Sequence, residues 1–256
     1  MNKSKIRLDE LLVKRNLANT LKQAVSLIMT GKVLVNDKKI LKSGTPVSES
    51  DSIRVIEKNK KYVSRGGEKL EGFWLKHKFP IKDQIALDVG VSTGGFTDFL
   101  LKQGAKHVFG VDVSYGVLDE KIRSSPKVHV FERQNARNIS EEDVKEKLKT
   151  SPELFEYFKD VSLVVMDVSF ISVLKIIPNI IKLVQPETNF IILIKPQFEA
   201  SKEQVSPGGI VKDSVVRQAV VDSVIKQLSH YLSLKFIAPS SLPGTKGNQE
   251  YLAWFS

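Results

Sequence analysis

The stretch Leu87-Asp88-Val89-Gly90-Val91-Ser92-Thr93-Gly94-Gly95-Phe96-Thr97 continues an apolar run, Ile85–Val89, and leads into a helical pattern, Phe96–Lys102. Glycines between a strand and a helix allow a tight turn and let backbone approach a ligand, and the helix N-terminus offers free N–H groups. The next strand ends at Asp112, 22 residues beyond Gly90. An acidic residue there suits hydrogen bonding to ribose hydroxyls. The glycine spacing is G-x-x-x-G-G, not the G-x-G-x-x-G of a dinucleotide site, which weakens a dehydrogenase reading. Gly90-Val91-Ser92-Thr93-Gly94 also matches the G-x-S-x-G of a hydrolase elbow. That chemistry needs an acid and then a histidine on downstream loops, and the late histidine, His230, falls within a helical pattern. A plain strand–turn–helix connection would need glycine too. An adenosyl cofactor fits the pattern best.

Four further polar residues fall at strand ends or domain entry. Asp167 closes the apolar run Val161–Met166, and Lys195 closes Phe190–Ile194. Carboxyl ends of adjacent parallel strands form the rim where open α/β sheets bind ligands. Lys69 lies in a helical segment ahead of the first strand, and Glu250 opens the last one. Each has a plainer use. Asp167 could cap the following helix. Lys195 could be a surface lysine before a proline turn, and Lys69 a solvated helix residue. Glu250 alone says little.

The scaffold for these residues is legible in the apolar pattern. Ile85–Val89, Val108–Val113, Val128–Phe131, Val161–Met166 and Phe190–Ile194 alternate with helical segments such as Phe96–Lys102 and Val173–Leu183. Near-continuous apolar strands between helices indicate a parallel sheet covered on both faces. The tail differs: an amphipathic helix over Val215–Leu232 precedes Leu234–Ile237 and Glu250–Phe255, two strands with no helix between them. They predict an antiparallel closing pair. Ahead of the body, Glu68–His77 reads as a helix. Ile6–Leu17 and Leu21–Met29 have helical spacing, with Gly31 placed as a C-cap. Val33-Leu34-Val35 turns at Asn36-Asp37 into Lys38-Lys39-Ile40, Lys42–Pro46 reads as a loop, and Ile53–Ile56 as a closing strand. The expected fold is α/β: a Rossmann-like domain with a mostly parallel sheet and an antiparallel last strand, behind a small α+β N-terminal domain. Glu57–Lys61 is polar and charged and marks the junction. The boundaries fall at 1–58 for the front domain, 59–63 for the linker and 64–256 for the body.

Residues 1–62 carry 14 Lys/Arg and 6 Asp/Glu, a net +8 out of +10 for all 256 residues. A basic front on a near-neutral body points to a polyanion-binding module, with a lysine-rich solvated surface as the plainer reading. The absence of cysteine excludes disulfides and thiolate metal sites. His77, His107, His129 and His230 have no zinc-like spacing, so no metal is expected. No apolar run approaches the ~20 residues that span a bilayer, and Met1–Glu10 lacks the apolar core of a secretory signal. A cytoplasmic location without membrane association is expected.

Ser64-Arg65-Gly66-Gly67-Glu68-Lys69-Leu70, the Asp88–Thr97 loop, Asp167-Val168-Ser169-Phe170-Ile171-Ser172 and Lys195-Pro196-Gln197-Phe198-Glu199 together resemble the TlyA family. These are ribosomal RNA 2′-O-methyltransferases, often labelled hemolysins, with a catalytic domain similar to that of FtsJ-type RNA methyltransferases. The front, from Ile6-Arg7-Leu8-Asp9 through Gly31-Lys32-Val33-Leu34-Val35-Asn36 to Asp51-Ser52-Ile53, resembles the RNA-binding domain of ribosomal protein S4. The similarity spans nearly the whole chain, with several separated motifs in the same order. The resemblance implies S-adenosylmethionine as cofactor, held by Gly90, Ser92, Thr93, Gly94, Gly95, Phe96, Thr97, Asp112, Asn135, Ala136 and Asp167. It implies a Lys-Asp-Lys-Glu tetrad on Lys69, Asp167, Lys195 and Glu250, the last through the short match Gly247-Asn248-Gln249-Glu250-Tyr251. It implies ribosomal RNA, within a ribosomal subunit, as the partner. The target would be a cytidine of 23S rRNA, in some members also of 16S rRNA; the compact chain, like the shorter members, points to 23S. A monomer is expected. A membrane-active hemolysin and a non-catalytic RNA-binding protein compete; the missing spanning segment speaks against the first, the intact Lys-Asp-Lys set against the second.

A ribose hydroxyl is a poor nucleophile and a sulfonium methyl an activated electrophile, so the enzyme must align them and remove a proton. Lys195 is the expected base, with Lys69 positioning the hydroxyl and the two carboxylates orienting the lysines. Arg7, Arg15, Lys22, Lys32 and Arg65 are the candidate RNA contacts. Family members usually carry Ser-Arg at the start of the second helix, where this chain reads Thr20-Leu21-Lys22. Lys22 there offers a point charge without bidentate geometry.

Overall fold

Two units divide the chain, Met1–Lys60 and Lys61–Ser256. The computed structural model describes residues 5–56 and 61–256. In the first unit, strand β1 (Lys5–Arg7) runs directly into helix α1 (Leu8–Lys14), followed by α2 (Leu21–Met29), β2 (Val33–Val35), β3 (Lys38–Lys39), β4 (Pro46–Ser48) and β5 (Ile53–Val55). Helical spacing from Ile6 overran the start of α1: Arg7 is extended, and Ile6 pairs with Val47 across antiparallel β1 and β4. Pro46, read as the end of a loop, opens β4. A three-residue strand is too short to display an alternating pattern of its own. Asn36 and Asp37 both adopt positive φ, the geometry a two-residue hairpin turn needs between β2 and β3. The core of this unit gathers Leu8, Leu11, Leu12, Ala24, Ile28, Val33 and Val47.

The second unit contains α3 (Arg65–His77), β6 (Ile85–Val89), α4 (Gly95–Lys102), β7 (His107–Val111), α5 (Glu120–Arg123), β8 (Val128–Phe131), α6 (Glu141–Leu148), α7 (Pro152–Lys159), β9 (Val161–Met166), α8 (Ile177–Ile180), β10 (Asn189–Ile194), α9 (Pro196–Glu199), α10 (Ser214–Leu228), β11 (Leu234–Pro239) and β12 (Tyr251–Phe255). Its seven-stranded sheet has the order β11-β12-β10-β9-β6-β7-β8. Strands β6 to β10 pair in parallel, while β12 is antiparallel to both β10 and β11. Successive side chains of a strand face opposite sides, so two apolar layers form. Leu87, Val89, Val164, Met166, Ile192 and Phe255 pack on one face. Ala86, Val108, Leu163, Val165, Ile191 and Leu193 pack on the other, with Leu70 and Phe73 of α3 and Phe99 of α4.

Three expected elements differ in the structure. The Val173–Leu183 segment is not one helix but a 3-10 turn (Val173–Lys175), α8 and a second 3-10 turn (Ile181–Leu183). Pro178, which lacks an N–H, lies within it. The Val215–Leu232 helix ends earlier, at Leu228. Of the linker, residues 59 and 60 lie outside the described residues, but Tyr62 is a core residue of the second unit, 2% exposed and edge-on to Phe99. Among the described residues no helix is long and apolar enough to cross a membrane, and no cluster of three His, Cys, Asp or Glu could hold a metal.

Candidate active site

The site lies at the carboxyl ends of the central strands. Asp167 follows β9, and its backbone N–H donates to the Val89 carbonyl (3.0 Å) at the end of β6. Gly90 has φ +85, and a Cβ there would stand 2.6 Å from the Asp167 carbonyl oxygen, so this turn excludes a side chain twice over. Lys195 follows β10, the neighbour of β9. Because β12 runs antiparallel, its first residue Tyr251 sits opposite Ile194, and Glu250 arrives beside Lys195 at the same rim. Lys69 comes from α3, whose N-terminal end crosses the glycine loop. A Cβ on Gly67 would stand 2.8 Å from the Gly95 carbonyl and 2.4 Å from Cγ of Tyr62. The paired glycines of Ser64-Arg65-Gly66-Gly67 thus set how closely α3 approaches α4, and with it the height of Lys69.

The tetrad forms two ion pairs. Lys69 Nζ lies 2.6 Å from Glu250 Oε2, and Lys195 Nζ lies 2.7 Å from Asp167 Oδ1. Lys195 also donates to Ser169 Oγ (2.8 Å), and Gln197 Nε2 donates to Glu250 Oε1 (3.2 Å). All four tetrad residues line one small chamber of about 200 Å³, with Ser64, Gly66, Asp88 and Ser169. Asp167 therefore faces a lysine and does not cap a helix; Ser172 caps the following turn.

A larger cavity of about 540 Å³ adjoins it, and Gly90, Ser92, Asp167 and Ser169 line both. Asp112, Asn135 and Ala136 line the larger cavity, whose apolar side comprises Val113, Val117, Ile171 and Ile176. Asp112 accepts from the backbone of Ser92 (2.8 Å) and Ser114 (2.8 Å), which fixes its carboxylate. Phe170 stands at this rim with φ +64 and 90% of its surface exposed. Thr93, Gly95 and Phe96 line the small chamber, whereas Gly94 and Thr97 line neither. The Thr97 hydroxyl and N–H both donate to Asp88 Oδ2 (2.6 and 3.1 Å).

Asp88 is the functional candidate that sequence reasoning passed over. It is fully buried, and its Oδ1 has no hydrogen-bond partner. Burial pushes its pKa up to about 7; the Thr97 hydrogen bond opposes this, and Asp167 and Asp112 add to it. A charged residue within the otherwise apolar run Ile85–Val89 was the available signal. The hydrolase alternative fails on geometry: His230 is exposed on the turn after α10, against the Gln227 carbonyl, and among the described residues Ser92 has no histidine partner.

Comparison with known proteins shows the family of both parts of the chain. Residues 62–256 match the model of the FtsJ-like methyltransferases, and residues 6–53 match the S4 domain. The chain is 37% identical to Hemolysin A of Brachyspira hyodysenteriae, over 98% of this chain and 99% of the relative. It is also 37% identical to the 16S/23S rRNA (cytidine-2′-O)-methyltransferase TlyA of Mycobacterium tuberculosis, over 97% of this chain and 88% of that protein. The chain belongs to the TlyA family of FtsJ-like methyltransferases. A solved hemolysin structure from Streptococcus thermophilus, 34% identical, superposes with a TM-score of 0.71 and covers 99% of this chain and 88% of that one. In this TlyA-family chain the expected fold is observed in both parts, the Rossmann-like methyltransferase body and the S4 domain in front.

The proposed RNA contacts fare unevenly. In the S4 domain, Arg7 grips Asp9 through two hydrogen bonds (3.0 and 2.6 Å), which holds the buried Asp9 carboxyl below the usual range. Arg15 donates to the carbonyls of Asp51 (2.9 Å) and Glu49. Both arginines are engaged within the domain. Lys22 is exposed, Lys32 half-buried, and neither meets an acidic side chain among the described residues. Lys38, Lys39 and Lys42, three lysines within five residues beside a hairpin turn, are likewise exposed and meet no acidic side chain among the described residues. Arg65 donates to the Pro243 carbonyl (2.7 Å) near the Glu250 loop.

Proposed function

We propose that this protein transfers a methyl group from S-adenosylmethionine to the 2′-hydroxyl of a ribose in ribosomal RNA, a cytidine of 23S rRNA. The observation that carries the reading is the convergence of two Lys–carboxylate pairs on one small chamber that opens from a nucleoside-sized cavity. The residues fit the cofactor. The unpartnered, buried Asp88 Oδ1 at the small chamber is an acceptor suited to an ammonium group. Asp112 in the larger cavity suits ribose hydroxyls, and Val113, Val117 and Ile171 suit an adenine face.

S-adenosylmethionine supplies a methyl group already activated by its sulfonium. The protein's share is alignment and proton removal. Lys195, oriented by Asp167 and Ser169, takes the hydroxyl proton as the neutral amine, having first released its own ammonium proton to solvent. Lys69, oriented by Glu250, holds the oxygen. The basic S4 domain supplies phosphate contacts through Lys22, Lys32, Lys38, Lys39 and Lys42, which position RNA without reading its sequence. The rRNA activity named for the Mycobacterium tuberculosis relative supports the substrate class. Purified protein, labelled S-adenosylmethionine and 23S or 16S rRNA in their subunits test the reading. Wild-type protein should label 23S rRNA and Lys195→Ala should not; equal labelling by both removes Lys195 from its role.

A further inference from the structure

We propose that Gln197 is a positioning residue for the methyl transfer: it holds Glu250 so that one carboxylate oxygen faces Lys69, and it ties that pair to the turn carrying Lys195. The inference rests on the methyl-transfer reading above. Pro196 starts α9 directly after Lys195, so Gln197 leaves the same strand-end turn two residues later. Its Nε2 donates to Glu250 Oε1 at 3.2 Å, while Glu250 Oε2 takes Lys69 at 2.6 Å. Each oxygen of a carboxylate that is only 2% exposed thus has one assigned partner. The third side is backbone: a Cβ on Gly244 would fall 2.0 Å from Glu250 Oε1, so only glycine leaves room for the carboxylate.

The orientation of the Gln197 amide is dictated by charge. An ionised carboxylate only accepts, so the amide must present nitrogen to it. The cost falls on the other end, where Gln197 Oε1 is buried without a partner. An apolar side chain of the same length would avoid that unmet acceptor. Gln197 is therefore poorly suited to filling space and well suited to holding Glu250. Lys69 from α3, Asp88 from β6, and the Asp167–Lys195 pair at the ends of β9 and β10 line the chamber that Glu250 also lines. Without the Gln197 N–H, Glu250 can rotate about its last torsion, and the Lys69 ammonium follows it.

Gln197→Met keeps the length and removes the donor; Gln197→Glu sets a second carboxylate against Glu250. Single-turnover methyl transfer by Gln197→Met should fall about 10- to 100-fold, the scale of a misplaced reacting group, with cofactor and RNA affinity within about twofold of wild type. Like charges oppose each other's ionisation, so Gln197→Glu should also displace the pH–rate profile, which a packing defect would not do. A crystal structure of Gln197→Met should show Glu250 turned away from Lys69. Wild-type rates and an unmoved profile in both variants, or losses that only track the folded fraction, overturn the proposal. If wild-type protein methylates no RNA, the functional reading fails instead. The Gln197→Met structure then still decides the geometry, and an unmoved Glu250 refutes it.

Discussion

Asp88→Asn removes an ionisable group from the small chamber, at the carboxylate that burial has left half-partnered. In the folded protein its pKa lies at about 7, chiefly because of burial. In an unfolded chain an aspartate titrates near 3.9. Between about pH 4 and 7 the folded state thus holds a proton that the unfolded state has released. This group's contribution to stability is complete below about pH 4 and is lost as the pH rises through 7. The difference of about three pH units corresponds to roughly 4 kcal/mol as an upper figure. An ammonium group reaching Oδ1 requires the ionised form, so below pH 7 binding must first expel a proton. Affinity for S-adenosylmethionine should then fall about tenfold per pH unit on the acid side. A hydrogen bond between charged groups contributes about 1.5–3 kcal/mol, so Asp88→Asn should weaken binding roughly 10- to 100-fold at neutral pH and flatten the pH dependence. Titration calorimetry of both proteins across the acid-to-neutral range measures both effects. Equal affinity and an equal slope in wild type and variant would refute the placement of the ammonium at Asp88.

Lys69→Met and Lys195→Met should each lower methyl transfer by about 10²- to 10⁴-fold while S-adenosylmethionine still binds, as measured by single-turnover assay and calorimetry. Gly67→Ala forces a Cβ against Tyr62 and the Gly95 carbonyl, and should cost about 1–3 kcal/mol in chemical denaturation as well as activity. His77, His107 and His129 have pKa values lowered chiefly by burial. Unfolding lets them take up protons, so their contribution to stability should be lost as pH falls below about 6.5, seen as a falling thermal midpoint in the Asp88→Asn background. In the S4 domain, Arg7→Ala leaves buried Asp9 without its guanidinium and should lower the thermal midpoint of that unit. Replacing Lys38, Lys39 and Lys42 together should instead weaken RNA binding and reduce its salt dependence, measured by filter binding at several salt concentrations.

The body was legible in sequence because its central strands are buried on both faces, so Ile85–Val89, Val161–Met166 and Phe190–Ile194 read as unbroken apolar runs. Asp167 and Lys195 could be placed together for the same reason, since each ends such a run. The Lys69–Glu250 pair was not legible from spacing, because 181 residues separate its members and the crossing of α3 over the glycine loop brings them together. Asp88 was hidden by its surroundings: a carboxylate inside a strand looks like a misfit until the residue is seen to line the chamber and its Oδ1 to lack a hydrogen-bond partner. The intradomain bonds of Arg7 and Arg15 were not legible, because a basic residue in a basic domain reads as a phosphate contact whether or not a neighbouring carboxylate or carbonyl also meets it. The strand β4 and the break at Pro178 fall below the length at which periodicity carries information.

Methyl transfer to ribosomal RNA can be read by mapping ribose methylation in cells with and without this gene, and in cells carrying Lys195→Ala. A 2′-O-methylated cytidine in 23S rRNA should be present in the wild type and disappear in both mutants. Identical methylation maps in all three strains would contradict methyl transfer by this protein.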